Sequence, residues 1–230
     1  MNFLNILYTV FIGPLEILFD VVFTLFYYVT SNPGISIIGL SIFINILLLP
    51  LYNRTDAIQK EENDLEKKLK PGIDHIKKTF KGDEQYMIVQ TYYRQNGYNP
   101  LYSLKGLLPL LLEIPFFIAA YNYLSNLSIL NGASFWIIDD LNKPDGLLNG
   151  INILPILMTL INIISSSIYT KDSSLKSKIQ LYGMALIFLV LLYDSPSGLV
   201  MYWTLNNLFS LVKNIIVRIK NSYLHTLYRV

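Results

Sequence analysis

Four stretches of this chain are long enough to cross a lipid bilayer and carry almost no charge. Val21 to Asn53 and Gly146 to Thr170 carry none, Gly106 to Ile138 carries only Glu113, and Ile179 to Val212 carries only Asp194. About 20 apolar residues in a helix cross a bilayer, and backbone polar groups inside lipid must pair within their own segment, so helices are the natural outcome. With 53% hydrophobic residues, 15% charged residues and a mean hydropathy of +0.42, the chain is too apolar for an ordinary soluble domain. The expected fold class is an all-α integral membrane protein, a single membrane domain with a five-helix transmembrane core. The spans are placed near Ile35–Tyr52, Gly106–Leu124, Ile151–Tyr169, Ile179–Tyr193 and Gly198–Val217, the last two divided by the turn Asp194-Ser195-Pro196-Ser197-Gly198.

Before the first span, residues 1–30 read differently. Met1 to Ile12 is apolar without a basic leader or a small-residue cleavage site, a poor fit to a removed signal peptide. After Gly13-Pro14, Glu16 and Asp20 fall four apart on one helical face, with Leu15, Leu18, Phe19, Val22, Phe23 and Phe26 around the rest. That pattern suits an amphipathic helix in the membrane interface, with a sixth, kinked span as the alternative.

Of the 18 lysines and arginines, all but Lys143 fall in the segment between the first two spans, in the third loop, or from Lys213 near the end of the last span onward. The positive-inside rule puts those three segments, and the C-terminus, in the cytoplasm. Cysteine is absent, which excludes disulfides, thiolate metal sites and a lipid-anchoring cysteine.

The cytoplasmic segment 54–103 has helical logic of its own. Ile58, Leu65, Leu69, Ile73, Ile76 and Phe80 make a stripe on a charged helix, Gly82-Asp83-Glu84 makes a turn, and a second helix runs to Asn96-Gly97. Asp56, Glu61, Glu62, Asp64, Glu66, Asp74, Asp83 and Glu84 nearly offset its basic residues, so this helical hairpin is no specific nucleic-acid surface.

Glu113 stands in LLPLLLEIPFFIAAYNY, where an ionisable group is costly and marks a candidate site. A protonated carboxyl bonded between helices, or a position near the cytoplasmic interface, would also account for it. His75 and His225 lie in the hairpin and the tail, and neither a metal-ligand cluster nor a phosphate-binding glycine loop is present, so cofactor, metal and enzyme readings find little support.

Five pieces then occur in order: a span ending LLLPLY, the charged hairpin, YRQNGYNPLYSLKGLLPLLLEIPFF, an outer loop with SFWIIDDLNKPDGLL before ILPIL, and SPSGLVMYWTLNNLFSLVKN. Together they resemble the YidC/Oxa/Alb family of membrane protein insertases, from about Pro14 to Val217, in a shorter form like that of Gram-positive bacteria. The resemblance implies a hydrophilic groove that opens to the cytoplasm and to lipid. Nascent membrane proteins enter it, pass a short polar flank across and release their helices into the bilayer, with no covalent chemistry. It also implies a bacterial cell membrane location and, through the family alone, cooperation with the ribosome and a secretory translocon.

Carried over residue by residue, the resemblance exposes a departure. The family's usual arginine in the first core span falls at Asn45, and its usual glutamine before the Ile-Pro pair falls at Glu113. Ser41, Tyr202, Trp203, Asn206 and Asn207 complete the expected groove; Ser41 shares a helical face with Asn45, and Trp203 with Asn207. Polar residues that join helices within a membrane would account for several of these equally. The altered charges leave a second reading, a diverged relative dedicated to assembling one membrane or cell-surface complex.

Overall fold

A computed structural model describes residues 8–98, 108–169 and 175–227. The expectations for Met1 to Leu7, for the stretch 99–107 and for the third loop's residues 170–174 lie outside the described residues. Among the described residues the chain is all-helical, apart from two isolated antiparallel bridges, Phe135 to Ile138 and Leu148 to Ile151. It divides into two compact units, Met1–Leu47 with Pro115–Val230, and Leu48–Ile114.

In the first unit, a π-helical turn at Tyr8–Ile12 leads into α1, Gly13–Thr30. Pro14 suits the first turn, where its missing N–H costs nothing. The helix stops at Ser31, whose left-handed backbone (φ 50°) lets its N–H reach the Tyr27 carbonyl at 2.8 Å. Asn32 then caps the next helix: its Oδ1 accepts the Ile35 N–H at 3.1 Å, and Pro33 occupies the first helical position. Helix α2, Pro33–Thr79, begins there. Phe26 of α1 lies over Gly39 of α2, where a Cβ would come within 2.5 Å of its ring.

Ile37, Leu40, Ser41, Ile44 and Asn45 form the buried face of α2, at the spacing one helical face requires. Ile42, Phe43, Ile46 and Leu47 are exposed apolar residues on the same helix. An apolar exposed face is what a lipid solvent asks of a helix. Among the described residues, two helices are long and apolar enough to cross a membrane by themselves, Tyr8–Thr30 and Pro33–Thr79, and 153–168 and 181–192 are shorter apolar stretches.

The remaining helices are α3, Gly82–Gln95, in the second unit; α4, Leu108–Ser125; α5, Ile153–Tyr169; α6, Leu175–Leu192; and α7, Ser197–Leu227. A ladder of amides joins α5 to α7. Asn162 Nδ2 donates to Asn207 Oδ1 at 3.1 Å, Asn207 Nδ2 to the Met158 carbonyl at 3.3 Å, and Asn214 Nδ2 to Ser165 Oγ at 3.0 Å. Such bonds within a membrane stabilise by about 0.6 kcal/mol each.

Between α4 and α5 the chain makes a folded loop with Leu130, Ile138 and Leu141 buried. Asp140 organises it: its carboxylate pairs with Lys143 at 2.9 Å and accepts the Gly132 and Asn142 N–H groups, each at 3.0 Å. Lys143, then the Asn142 N–H, hold the Asp140 carboxyl below its ordinary range. A depressed carboxyl pKa stabilises above the unfolded value and is lost as pH falls through the folded one. The Gly132 and Asn142 amides are therefore expected to keep their hydrogen-exchange protection as pH drops to about 4 and to lose it only below; Asp140→Asn should expose them at neutral pH. Asp145 caps α5, accepting the Ile153 and Leu154 N–H groups at 2.7 and 3.3 Å.

In the second unit α2 continues without a break through Pro50 and Pro71, so the first apolar segment and the first hairpin arm are one helix. Neither proline stops it, though each removes one backbone donor. Gly82, at φ 63°, turns the chain, and Gln85 Nε2 donates to the exposed carbonyls of Phe80 and Lys77 at 2.7 and 3.1 Å. Helix α3 then packs back on α2, Tyr92 lying on Gly72 and Leu69, Ile73 and Ile76 buried. The Tyr93 and Tyr98 rings meet at a 41° tilt with centres 4.9 Å apart, and burial, followed by the charge of Glu66 for Tyr93 and of Glu62 for Tyr98, raises both phenols above their ordinary value.

Candidate functional site

A polar cluster sits between α2 and α7. Ser41 and Asn45 lie one turn apart on the buried face of α2, 1% and 4% exposed. Ser41 Oγ and Asn45 Nδ2 both donate to Asn206 Oδ1 on α7, at 2.7 and 2.6 Å. Asn45 Nδ2 also donates to the Ser41 carbonyl at 2.8 Å. Burying polar groups this deeply is tolerable because each finds a partner. The cluster is neutral: amide and hydroxyl groups occupy a place where a cation would bring a field of its own.

One turn back along α7, Tyr202 and Trp203 open an aromatic cluster. Trp203 lies against Phe117 of α4 at 5.2 Å and Phe188 of α6 at 5.8 Å, and these two phenylalanines meet edge-on at 5.2 Å. Tyr202, 1% exposed, meets Trp203 at 5.8 Å and Phe19 of α1 at 5.7 Å. Three helices, α1, α4 and α6, thus converge on two neighbouring residues of α7. The Trp203 indole N–H is buried and donates to no acceptor among the described residues. A buried donor left unpaired is costly, so its retention marks a position where an acceptor can arrive.

The remaining sequence-derived residues lie elsewhere. Asn207 turns away from Asn206 and bonds to α5, as described above. Glu113 is half-buried on α4 beside Pro115, at the end of the second unit.

Sequence reasoning did not find Phe117, Phe188 or Phe19 as site residues, because a phenylalanine in an apolar run gives no sign of whether it meets lipid or protein. It placed Glu16 and Asp20 on one helical face without finding their partners. Glu16 accepts from Tyr8 Oη at 2.6 Å and Asn122 Nδ2 at 3.0 Å, and Asp20, itself exposed, accepts from Tyr123 Oη at 3.0 Å. Helix α1 exposes Ile17, Val21, Leu25, Tyr28 and Val29, with Asp20 and Thr24 exposed among them.

The sequence profile of a family described as 60Kd inner membrane protein matches residues 25–223. Membrane protein insertase YidC of Treponema denticola is 29% identical over 227 residues, covering 90% of this chain and 38% of the relative. Membrane protein insertase YidC of Aquifex aeolicus is 32% identical over 212 residues, covering 90% and 40%. A crystal structure of an active YidC insertase with its first transmembrane domain resolved superposes with a TM-score of 0.56 at 26% identity, over 90% of this chain and 45% of that one. The chain therefore spans less than half the length of these relatives.

Proposed function

The chain belongs to the 60Kd inner membrane protein family, and from that premise we propose that it is a membrane protein insertase and chaperone. It takes nascent membrane proteins into a cytoplasm-open groove and releases their apolar helices into the bilayer. The observation that carries this reading is the polar cluster of Ser41, Asn45 and half-buried Asn206 beside the unpaired Trp203 indole, on helices that also expose Ile42, Phe43, Ile46, Leu47 and Leu208. A polar recess lowers the cost of bringing a client's hydrophilic flank partway through a membrane, and burial of about 20 apolar residues in lipid then draws the client out. Tyr202 and Trp203 form the groove's aromatic wall; Glu113 is counted with the groove through the family resemblance alone, and its charge would favour clients with neutral or basic flanks. Asn207 belongs to the same α7 surface and anchors it to α5.

The relatives' printed name, membrane protein insertase, supports a bacterial plasma-membrane location. The lysine and arginine distribution supports a cytoplasmic C-terminus and hairpin. Contacts of α1 support its lying along the outer surface. Phe26 meets Gly39, about 9 Å along α2 from Pro33, and Phe19 meets Tyr202, about 7.5 Å along α7 from Ser197, so these two points of α1, seven residues apart, sit at similar depths. Purified protein in phospholipid vesicles should insert a small single-span client supplied by translation in vitro; insertion no greater than into empty vesicles would overturn the proposal.

A specific observation favours a narrower second reading. Where the family resemblance implies a groove cation, this chain has Asn45, a neutral amide already committed to Asn206, which suits a factor dedicated to one complex whose clients need no positive field. Ribosome and translocon contacts belong with the general-insertase reading.

A further inference from the structure

Among the described residues the most exposed large apolar side chain is Trp136, 94% exposed, followed in sequence by Ile137 at 69%. They form the tip of a tight turn: the Phe135 N–H donates to the Ile138 carbonyl and the Ile138 N–H to the Phe135 carbonyl, both at 2.9 Å. Trp136 has φ 54°, while Ile137 does not share the positive φ. That is the pattern of a type II′ turn, whose first central place normally belongs to glycine. A bulky residue held there is strained, and such strain persists only where the surroundings impose it.

The same loop shows what an unconstrained tight turn looks like. At Leu148 to Ile151 the two central residues are Asn149 and Gly150, both with positive φ (51° and 85°), the residue pair that a type I′ turn favours. The chain thus uses asparagine and glycine at one tip and a strained, fully exposed tryptophan with isoleucine at the other.

The position of the apolar tip is fixed by what lies behind it. Phe135 is seated on Gly34, the second residue of α2, where a Cβ would meet its ring at 2.1 Å. Ile138 and Leu141 are buried. The Ser197 N–H donates to the Lys143 carbonyl and the Gly198 N–H to the Leu141 carbonyl, both at 2.8 Å, and Ser197 Oγ donates to the Asp140 carbonyl at 2.9 Å. The tip is therefore tied to the first residues of α2 and α7, two helices that start on the same side. Beyond Ile138 the sequence turns polar at once, through Asp139, Asp140, Asn142 and Lys143.

We propose that the Trp136–Ile137 turn is a membrane-interface anchor, seated in the headgroup and upper acyl region of the outer leaflet. The proposal rests on the membrane placement set out under Proposed function. The depth fits because the starts of α2 and α7 mark the level where spans leave the hydrocarbon. The residue type fits because an indole offers an apolar body and one N–H donor to a boundary that is half apolar and half wet. Two apolar residues followed by charged ones can enter the interface and cannot cross it.

These 230 residues contain no cysteine, so Ile137→Cys, Asn149→Cys and Ile187→Cys each give this chain one nitroxide-labelling site. In vesicles of phosphatidylethanolamine and phosphatidylglycerol, the ratio of oxygen to nickel-chelate collisions at position 137 should exceed that at 149 severalfold and remain below that at 187, a lipid-facing position of α6. Equal ratios at 137 and 149 would overturn the anchor. An aqueous ratio at 187 would overturn the membrane placement and the anchor with it. A second readout leaves the tip native: in a Trp203→Phe background, Trp136 fluorescence should be quenched more by lipids brominated near the headgroup than by lipids brominated near the bilayer centre. Absence of quenching by either would count against the proposal in the same way.

Discussion

Glu113→Gln is expected to raise the insertion of single-span clients with acidic N-terminal flanks by roughly tenfold relative to matched clients with basic flanks. The estimate follows from one unit charge acting on another at about 8 Å with an effective dielectric of about 20, worth about 2 kcal/mol before salt screening. Glu113 stands immediately before Ile114-Pro115 and is half-buried, so its charge would act in a medium less polar than water. The comparison uses client pairs that differ only in flank charge, in the vesicle assay, with wild type and the glutamine variant side by side. Glutamine keeps the shape and the hydrogen-bonding capacity, so a structural carboxyl bonded between helices would leave the flank preference unchanged. Asn45→Arg should move the preference in the same direction by adding a cation at the neutral cluster, and it should also weaken the bond to Asn206.

Gly39→Val is expected to destabilise the folded protein by about 1–3 kcal/mol, the usual cost of forcing carbon atoms into a filled space. The three atoms nearest a Cβ at that position, at 2.5, 2.5 and 2.7 Å, all belong to the Phe26 ring, so the two helices must separate or the ring must leave. Thermal unfolding in detergent micelles measures the loss. Adding Phe26→Ala should return part of it, with a coupling of about 0.5–3 kcal/mol between the two sites. Gly183→Ala is the control: nothing lies within 4 Å of its Cβ position, and replacing a helical glycine by alanine should gain about 0.5–1 kcal/mol. Equal effects at the two glycines would show that helix propensity, and not the contact of α1 with α2, governs the response.

The helical, membrane-embedded character was legible because it depends on long charge-free segments, which no tertiary contact can disguise. The pairing of Ser41 with Asn45 on one face was legible from their spacing of four. Their partner was not: Asn206 and Asn207 are adjacent amides about 100° apart around α7, and only packing decides that Asn206 meets α2 while Asn207 meets α5. The aromatic cluster escaped notice because Phe117 and Phe188 have mostly apolar neighbours in sequence, and lipid and protein interior select the same side chains. Glu16 and Asp20 were recognised as one face, yet the face turns to Asn122 and Tyr123, far away in sequence. The division expected near Arg54 reflected a change from apolar to charged composition. Composition alters what surrounds a helix without ending it, and α2 runs on to Thr79.

The central claim is that the chain inserts membrane proteins, and rescue of a bacterial strain depleted of its own insertase tests it most directly. Expression of this chain should restore the membrane insertion of several unrelated small proteins, as judged by protease protection of their translocated ends. Failure to restore any of them, with the chain present in the membrane at normal levels, would contradict the claim; restoration of a single client would leave only the dedicated factor standing.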